Sequence, residues 1–381
     1  MRIPLRMLLF CAILGVWLLT SLLQNKKIIH LRQPFGALWW PYISLVTMVG
    51  VGIILGFYNN GWRVVFFDAN AFGYLLLAPV FLEGLQKEEN RKQVLKIWLT
   101  VTFWLAVKTI ILFVIFSMFG RESMDYLYRW VRNSGVGEIT WLSGVRVFLY
   151  SQIFIVGAWL YVLFNNFEEK VKKVSYILIL FGTAILISLS RSFFVGIAAA
   201  VIPICIYLLW QKKFSDLKII FVRVTISFLG AYTLALLLSG SLFSPQDRLD
   251  NDAGQSSRRN QLPVLIQAIK QNPLGYGFGK TLTYQTTDPR ALAINPTGQY
   301  TTYNFELAWL DFFLKTGIFG VVAYLWFLWV ILRQIWPKFG LFASLLALIT
   351  IHGFTPYLNH PLGISLLLLA VAQVDLQQKK S

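Results

Sequence analysis

Residues 174–210 read VSYILILFGTAILISLSRSFFVGIAAAVIPICIYLLW, and Arg191 is their only charged residue. A single helix of this length would far exceed the roughly 20 residues that cross a bilayer. The stretch is therefore predicted to form a helical hairpin, with spans at 174–190 and 192–210 and a tight turn in SLSRS. Since a charge is costly inside lipid, Arg191 is expected at a membrane surface.

The whole chain shares this apolar character. Hydrophobic residues make up 57% of the 381 residues, charged residues only 13%, and the mean hydropathy is +0.63. This composition excludes a string of soluble domains and predicts an all-α, polytopic membrane protein forming one integral membrane domain over 1–381. About eleven spans are predicted, at 7–23, 36–57, 64–84, 97–118, 143–164, 174–190, 192–210, 218–240, 316–335, 340–356 and 361–374.

A polar stretch at 241–303 interrupts these spans. It is rich in Asp, Asn, Gln, Thr, Pro and Gly, so it is expected to lie in water on the same side as Arg191, since two crossings separate them. Short loops on the opposite side carry mostly lysine, which assigns that side to the cytoplasm. The loop therefore faces outward, and the DND sequence at Asp250–Asp252 fits a solvated turn better than a metal site.

The outward side carries mostly arginine rather than lysine. Arginine binds phosphate through two parallel hydrogen bonds, so one interpretation is a phosphate-binding outer cavity. The other is that these arginines contact lipid headgroups or local acids. The net charge of +17 partly reflects this feature, and nothing in the pattern indicates nucleic-acid binding.

The outward loop contains SSRRNQLPVLIQAIKQNPLGYGFGKT, residues 256–281. Its apolar residues recur at helical spacing, which predicts an amphipathic helix that Arg258 and Arg259 open and that ends before Pro273. Gly275 and Gly277 then form a flexible turn whose backbone amides are candidates to approach a ligand. A nucleotide-binding P-loop is excluded, because it needs glycine where Leu274 stands and a strand before it.

A second motif, ELAWLDFFLKTGIFG, occupies residues 306–320. At 100° per residue, Glu306 falls on the apolar face, whereas Asp311 and Lys315 form an i,i+4 pair on the opposite face. A carboxylate on an apolar face requires a partner. Glu306 is therefore either the partner of a structural arginine or a partly buried carboxylate suited to general-base chemistry.

These two motifs and SLSRSFFVG, in this order around one large outward loop, resemble the O-antigen ligase and O-antigen polymerase superfamily. The resemblance is closest over 187–320. It implies a multi-pass glycosyltransferase of the bacterial inner membrane that acts on its outer face. The implied partners are an undecaprenyl-diphosphate-linked oligosaccharide, a glycan acceptor, the lipid bilayer and other polysaccharide-assembly proteins, with no metal or other cofactor.

The resemblance also assigns residues by position. Arg191 matches the family arginine after the Ser-Arg turn, and Arg258 or Arg259 matches the arginine that begins the loop helix. Family ligases carry a motif of His followed by Asn, Ser or Gln, then nine residues, then Gly-x-x-Gly. Here Gly317 and Gly320 are the two glycines, so Glu306 stands at the histidine position. That departure favours a polymerase or a related glycan transferase over a ligase. The expected catalytic residues are Glu306, Arg191 and Arg258, and the expected substrate-binding residues are Arg259, Arg146, Gly275, Gly277 and His360.

Two other classes of function remain open at the level of sequence. A transporter or flippase for lipid-linked sugars would also use arginine-lined cavities, although transporters commonly contain internal repeats and the sequence shows none. A structural subunit of a polysaccharide-export complex is the third interpretation. It predicts outer arginines that point apart.

Overall fold

A computed structural model describes residues 5–23, 35–141, 144–165, 171–239, 253–286, 292 and 295–374. Part of the predicted outward loop, including Asp250–Asp252, lies outside the described residues. The protein is mostly helical, as predicted, but it also contains two antiparallel two-stranded sheets that the all-α prediction did not include. The chain divides into two compact units, one comprising 1–93, 256–335 and 355–381, the other 94–255 and 336–354.

The described helices are, in chain order, α1 Leu5–Leu23, α2 Trp39–Asn60, α3 Trp62–Ala69, α4 Ala78–Gly84, α5 Glu88–Ser123, α6 Asp125–Asn133, α7 Ile153–Asn165, α8 Val171–Ser188, α9 Arg191–Trp210, α10 Phe214–Ser239, α11 Ala253–Gln271, α12 Ala308–Ile335, α13 Phe339–His352 and α14 Pro361–Ala372. Short 3-10 segments lie at Gly36–Leu38, Asn70–Leu77, Tyr150–Gln152 and Tyr357–Asn359. The strands are β1 Gly137–Trp141, β2 Val145–Leu149, β3 Leu282–Gln285 and β4 Gln299–Thr302.

Each of the predicted spans contains helix, but they differ in length. Among the described residues, six segments are long and apolar enough to cross a membrane: Gly36–Asn60, Trp62–Gly84, Glu88–Ser123, Arg191–Trp210, Phe214–Ser239 and Ala308–Ile335. Five further apolar helices are shorter, at Met7–Leu23, Tyr150–Asn165, Val174–Ser188, Phe339–His352 and Pro361–Ala372. The helical membrane-protein class is thus supported, whereas the predicted number of crossings is not confirmed.

The break predicted inside 174–210 is present. Helix α8 ends at Ser188 and α9 begins at Arg191, with Leu189 at a φ of +46° between them. The Ser188 hydroxyl accepts a hydrogen bond from the Ser190 amide at 3.2 Å, which fixes the turn. The two helices do not form a closely packed hairpin, however, because α8 packs mainly against α10 and α9 against α13.

The predicted span at 143–164 is wrong in its first third. Residues 145–149 form β2, which pairs with β1 so that Thr140 lies opposite Arg146. Val145, Val147 and Leu149 are buried against the end of α5, a period-2 pattern that fits a strand better than a helix. Helix α7 begins only at Ile153, so Arg146 lies on a strand and not inside a span.

Candidate functional site

Two of the predicted catalytic residues meet in the first unit. Arg258 lies on α11 and Glu306 lies two residues before α12. The Arg258 Nε atom is 2.9 Å from Glu306 Oε2, and the two side chains are 35% and 37% exposed. Pairing with an arginine is one of the two predicted surroundings for Glu306, but the predicted position on the apolar face of a helix is wrong, because α12 begins only at Ala308.

A buried amide fixes the backbone at Glu306. Gln261 Oε1 accepts a hydrogen bond from the Glu306 amide at 3.0 Å. Gln261 Nε2 donates to Ser257 Oγ and to the Tyr284 hydroxyl, both at 3.0 Å, and all three of these polar residues are buried. Helix α11 and strand β3 therefore hold Glu306 in place. Gln261 was not predicted from the sequence, although its i,i+4 spacing from Ser257 is a weak signal.

The electrostatics of this pair favour an ionised carboxylate. A guanidinium at 2.9 Å stabilises the charged form of Glu306, and partial exposure leaves both groups accessible to a polar substrate. Arg259, the next residue on α11, is exposed and forms no ion pair with any described carboxylate. Helix α11 also begins at Ala253, so the arginines lie in its second turn and do not open it as predicted.

Helix α12 is broken at Gly317, where φ is +68°. The break frees backbone groups that an intact helix would pair internally. The turn at 273–277 supplies their hydrogen-bond partners. The Ile318 amide donates to the Pro273 carbonyl at 3.0 Å, and the Tyr276 amide donates to the Leu314 carbonyl at 2.8 Å. A broken helix at membrane depth is tolerated where other protein groups satisfy its backbone in this way.

The glycines of this turn have a packing role. The Gly277 amide donates to the Lys315 carbonyl at 3.0 Å, and the Gly275 amide donates to the Asn272 carbonyl at 3.2 Å. Both amides are therefore hydrogen-bonded within the protein, and the predicted contact of these glycines with substrate stays a prediction. Gly277 has a φ of +84°, and a Cβ atom there would lie 2.3 Å from the Gly56 backbone nitrogen. Only glycine allows this approach to α2.

Two glycines of α2 test this packing. A Cβ atom at Gly56 would lie 2.5 Å from the Phe278 carbonyl oxygen, whereas a Cβ atom at Gly50 would have no neighbour within 4 Å. Gly56→Ala is expected to destabilise the protein by about 1–3 kcal/mol through overpacking. Gly50→Ala is expected to be neutral or stabilising by up to about 1 kcal/mol. Unfolding midpoints of the two purified variants check this, and equal midpoints contradict the tight turn.

Three buried charged residues, Lys315, Asp68 and Asp311, lie beside this turn, and we call them the lysine cluster. Lys315 Nζ is 2.6 Å from Asp68 Oδ1 and 2.8 Å from Asp311 Oδ2, and the three side chains are no more than 5% exposed. The second Asp68 oxygen accepts a hydrogen bond from the Gly279 amide at 2.7 Å. Asn359 Nδ2 donates to Asp311 at 3.2 Å. With these two hydrogen bonds the cluster joins four segments of the first unit: α3, the turn at Gly279, α12 and the 3-10 segment Tyr357–Asn359.

The lysine cluster corrects the predicted faces of α12. Asp311 and Lys315, expected opposite the apolar face, point into the protein. The physical reason is packing against α3, where Asp68 forms a second ion pair with Lys315 and where hydrogen bonds from Gly279 and Asn359 reach the two carboxylates. No spacing within 306–320 reveals such a partner.

His360 caps a helix. It is the N-cap residue of α14, and its Nδ1 atom accepts a hydrogen bond from the Leu362 amide at 3.3 Å. Its neighbour Asn359 contacts the lysine cluster. The structure thus gives His360 a capping contact, and its predicted contact with substrate stays a prediction.

The other two predicted arginines belong to the second unit. Arg146 Nε donates to the Ser188 carbonyl at 2.8 Å, and its guanidinium lies 5.0 Å from the centre of the Phe148 ring. It therefore stabilises the end of α8, next to the break. Arg191 is exposed at the first position of α9, after the N-cap residue Ser190.

The chain was compared with known proteins. Residues 176–325 match the family model described as O-antigen ligase. This match confirms the resemblance to the O-antigen ligase superfamily over that segment, which contains Arg191, Arg258 and Glu306. It supports a membrane enzyme of O-antigen ligase type. No curated protein and no solved structure matches the chain.

Proposed function

We propose that the protein is a membrane glycosyltransferase that moves glycan from an undecaprenyl-diphosphate-linked donor to a glycan hydroxyl, with a polysaccharide polymer as the product. The proposed location is the outer face of a bacterial inner membrane. The observation that carries the proposal is the half-exposed Arg258–Glu306 pair inside the segment that matches the O-antigen ligase model. Glu306 takes the place of the histidine expected of a ligase, which favours polymerisation.

In this proposal, the donor diphosphate replaces Glu306 as the partner of Arg258 when the donor binds. A diphosphate carries more negative charge than a carboxylate and accepts two parallel hydrogen bonds from a guanidinium. Arg258 therefore turns from Glu306 to the donor, assisted by exposed Arg259 on the same helix. Glu306, which Gln261 still holds by its backbone, loses its cationic partner and becomes a stronger base.

The chemical step then balances as follows. Glu306 takes the proton of the acceptor hydroxyl, and the hydroxyl oxygen forms a bond to the anomeric carbon of the donor sugar. The bond between that carbon and the diphosphate oxygen breaks, and the electron pair leaves with undecaprenyl diphosphate. Arginine stabilises the charge that develops on the leaving group. Arg191, exposed at the start of α9 and inside the matched segment, stays a predicted catalytic residue.

An O-antigen ligase is the second candidate, because the matching model carries that description. A ligase would transfer a finished chain to lipid A-core or another acceptor, whereas a polymerase extends the chain itself.

Deletion of the coding gene, followed by analysis of surface and lipid-linked glycans, separates these candidates. A polymerase predicts loss of long chains while single repeat units remain, and a ligase predicts full-length chains that accumulate on the lipid carrier. Complementation with Arg258→Ala is expected to leave the defect uncorrected, whereas the wild-type chain corrects it. Unchanged glycans after deletion would contradict both functions.

A further inference from the structure

Helix α6 in the second unit has a composition typical of a membrane–water interface. It follows α5 after a break at Gly120, where φ is +69°. Tyr128 and Val131 are buried in the core of the unit, whereas Tyr126 and Trp130 are 87% and 47% exposed. Exposed aromatic side chains with a polar atom are typical of the level at which lipid headgroups meet the apolar layer.

Two arginines converge on Tyr128. Arg132 Nη1 donates a hydrogen bond to the Tyr128 hydroxyl oxygen at 2.6 Å, and the Arg121 guanidinium lies 4.6 Å from the centre of the same ring. Both arginines are exposed, and neither forms a salt bridge with a carboxylate in the part of the chain that the structure describes. The neighbouring Arg129 differs, because its Nε atom pairs with Asp125 Oδ2 at 2.5 Å.

This arrangement is suited to an anion. The Tyr128 ring holds the two guanidinium groups close together before any ligand binds. Binding an anion therefore does not have to order them, which lowers its entropic cost. Guanidinium recognises phosphate oxygens through its planar, forked donors. Glu122 lies next to Arg121 in sequence but is not within ion-pair distance of it, so it does not neutralise the pair.

The surroundings identify the source of the phosphate. The apolar segment Glu88–Ser123 ends at this point, which is where the phosphates of a bilayer would lie. Lys108, inside that segment, has its Nζ atom 5.9 Å from the Trp130 ring, as expected of a lysine that reaches towards the interface. Exposed Tyr126 and Trp130 favour contact with lipid over contact with a free anion in water.

We propose that Arg121, Arg132 and Tyr128 form a binding site for the phosphate headgroup of an anionic phospholipid. None of these residues belongs to the proposed catalytic set. The proposal assigns a separate role to each outward arginine of this segment. Arg129 pairs with a local acid, whereas Arg121 and Arg132 bind lipid.

The test uses the full-length protein, purified in detergent. Bound phosphatidylglycerol and phosphatidylcholine are measured by native mass spectrometry during titration with each lipid. We expect Arg121→Gln/Arg132→Gln to lower the affinity for phosphatidylglycerol by about 30-fold, the effect of two interfacial cations. Arg129→Gln is the matched control on the same helix, and its affinity is expected to stay within about twofold of wild type, because Asp125 already neutralises that arginine.

Two results would overturn the site. The first is a double variant that binds phosphatidylglycerol as tightly as the wild type and Arg129→Gln. The second is displacement of phosphatidylglycerol by millimolar inorganic phosphate, which indicates a free-anion site. If the double variant does not fold, single Arg121→Gln decides the question, because the Arg121 guanidinium lies against the Tyr128 ring and pairs with no carboxylate among the described residues. It is expected to lower the affinity by about fivefold, and an unchanged affinity contradicts the proposal.

Discussion

Glu306→Gln is expected to lower the rate of glycan transfer by about 10²–10⁴-fold, the usual contribution of a positioned general base. Glutamine keeps the size of the side chain and the backbone hydrogen bond to Gln261, but it cannot accept the proton of the acceptor hydroxyl. Since the Glu306 side chain is more than one-third exposed, the fold should tolerate the change.

The measurement is the rate of transfer by purified protein, with the unfolding midpoint of each variant as a check on folding. Glu89→Gln is a suitable control, because Glu89 is an exposed glutamate in the first turn of α5. It should transfer glycan at the wild-type rate. A Glu306→Gln protein that is as active as this control would remove Glu306 from the mechanism.

Lys315→Met is expected to cause the largest loss of stability, about 3–5 kcal/mol, the cost of leaving a buried charge without its partner. Methionine fills a similar volume, but Asp68 and Asp311 then face each other without a cation. The matched control is Lys92→Met. Lys92 pairs with Glu88 at the same i,i+4 spacing and 2.7 Å, yet those side chains are 74% and 70% exposed, so little or no loss of stability is expected.

Thermal unfolding in detergent compares these two variants. A triple variant in which all three charges of the lysine cluster are removed provides a second check. Asp68→Asn and Asp311→Asn added to Lys315→Met remove the unpaired charges and should recover part of the lost stability. Equal midpoints for Lys315→Met and Lys92→Met would show that the lysine cluster does not stabilise the first unit.

Local patterns in the sequence predicted the positions of the helices well. The length of the 174–210 stretch and its lone charge located the break at Ser188–Arg191, and the spacing of apolar residues predicted α11 up to Gln271. These are short-range features, in which each residue interacts with neighbours three or four positions away. The strand β2 was missed because its apolar residues continue directly into the apolar helix α7.

Contacts between distant segments could not be predicted in the same way. Residue types indicated that Arg258 and Glu306 matter, but their pairing depends on how Gln261 and Tyr284 hold the loop before α12. The orientation of α12 depends on Asp68, which is 247 positions from Lys315. In an isolated helix this ion pair would face solvent, whereas in the fold it faces Asp68 of α3, a contact that no pattern within α12 reveals.

The central claim is that Arg258 and Glu306 act together in glycan transfer, and a double-mutant cycle tests it most directly. The measured quantity is undecaprenyl diphosphate released from a lipid-linked glycan by wild type, Arg258→Ala, Glu306→Gln and the double variant. Each single change is expected to slow release by about 10²-fold or more, and the double variant should be little slower than the slower single variant. Release at the wild-type rate by both single variants, each correctly folded, would contradict the account.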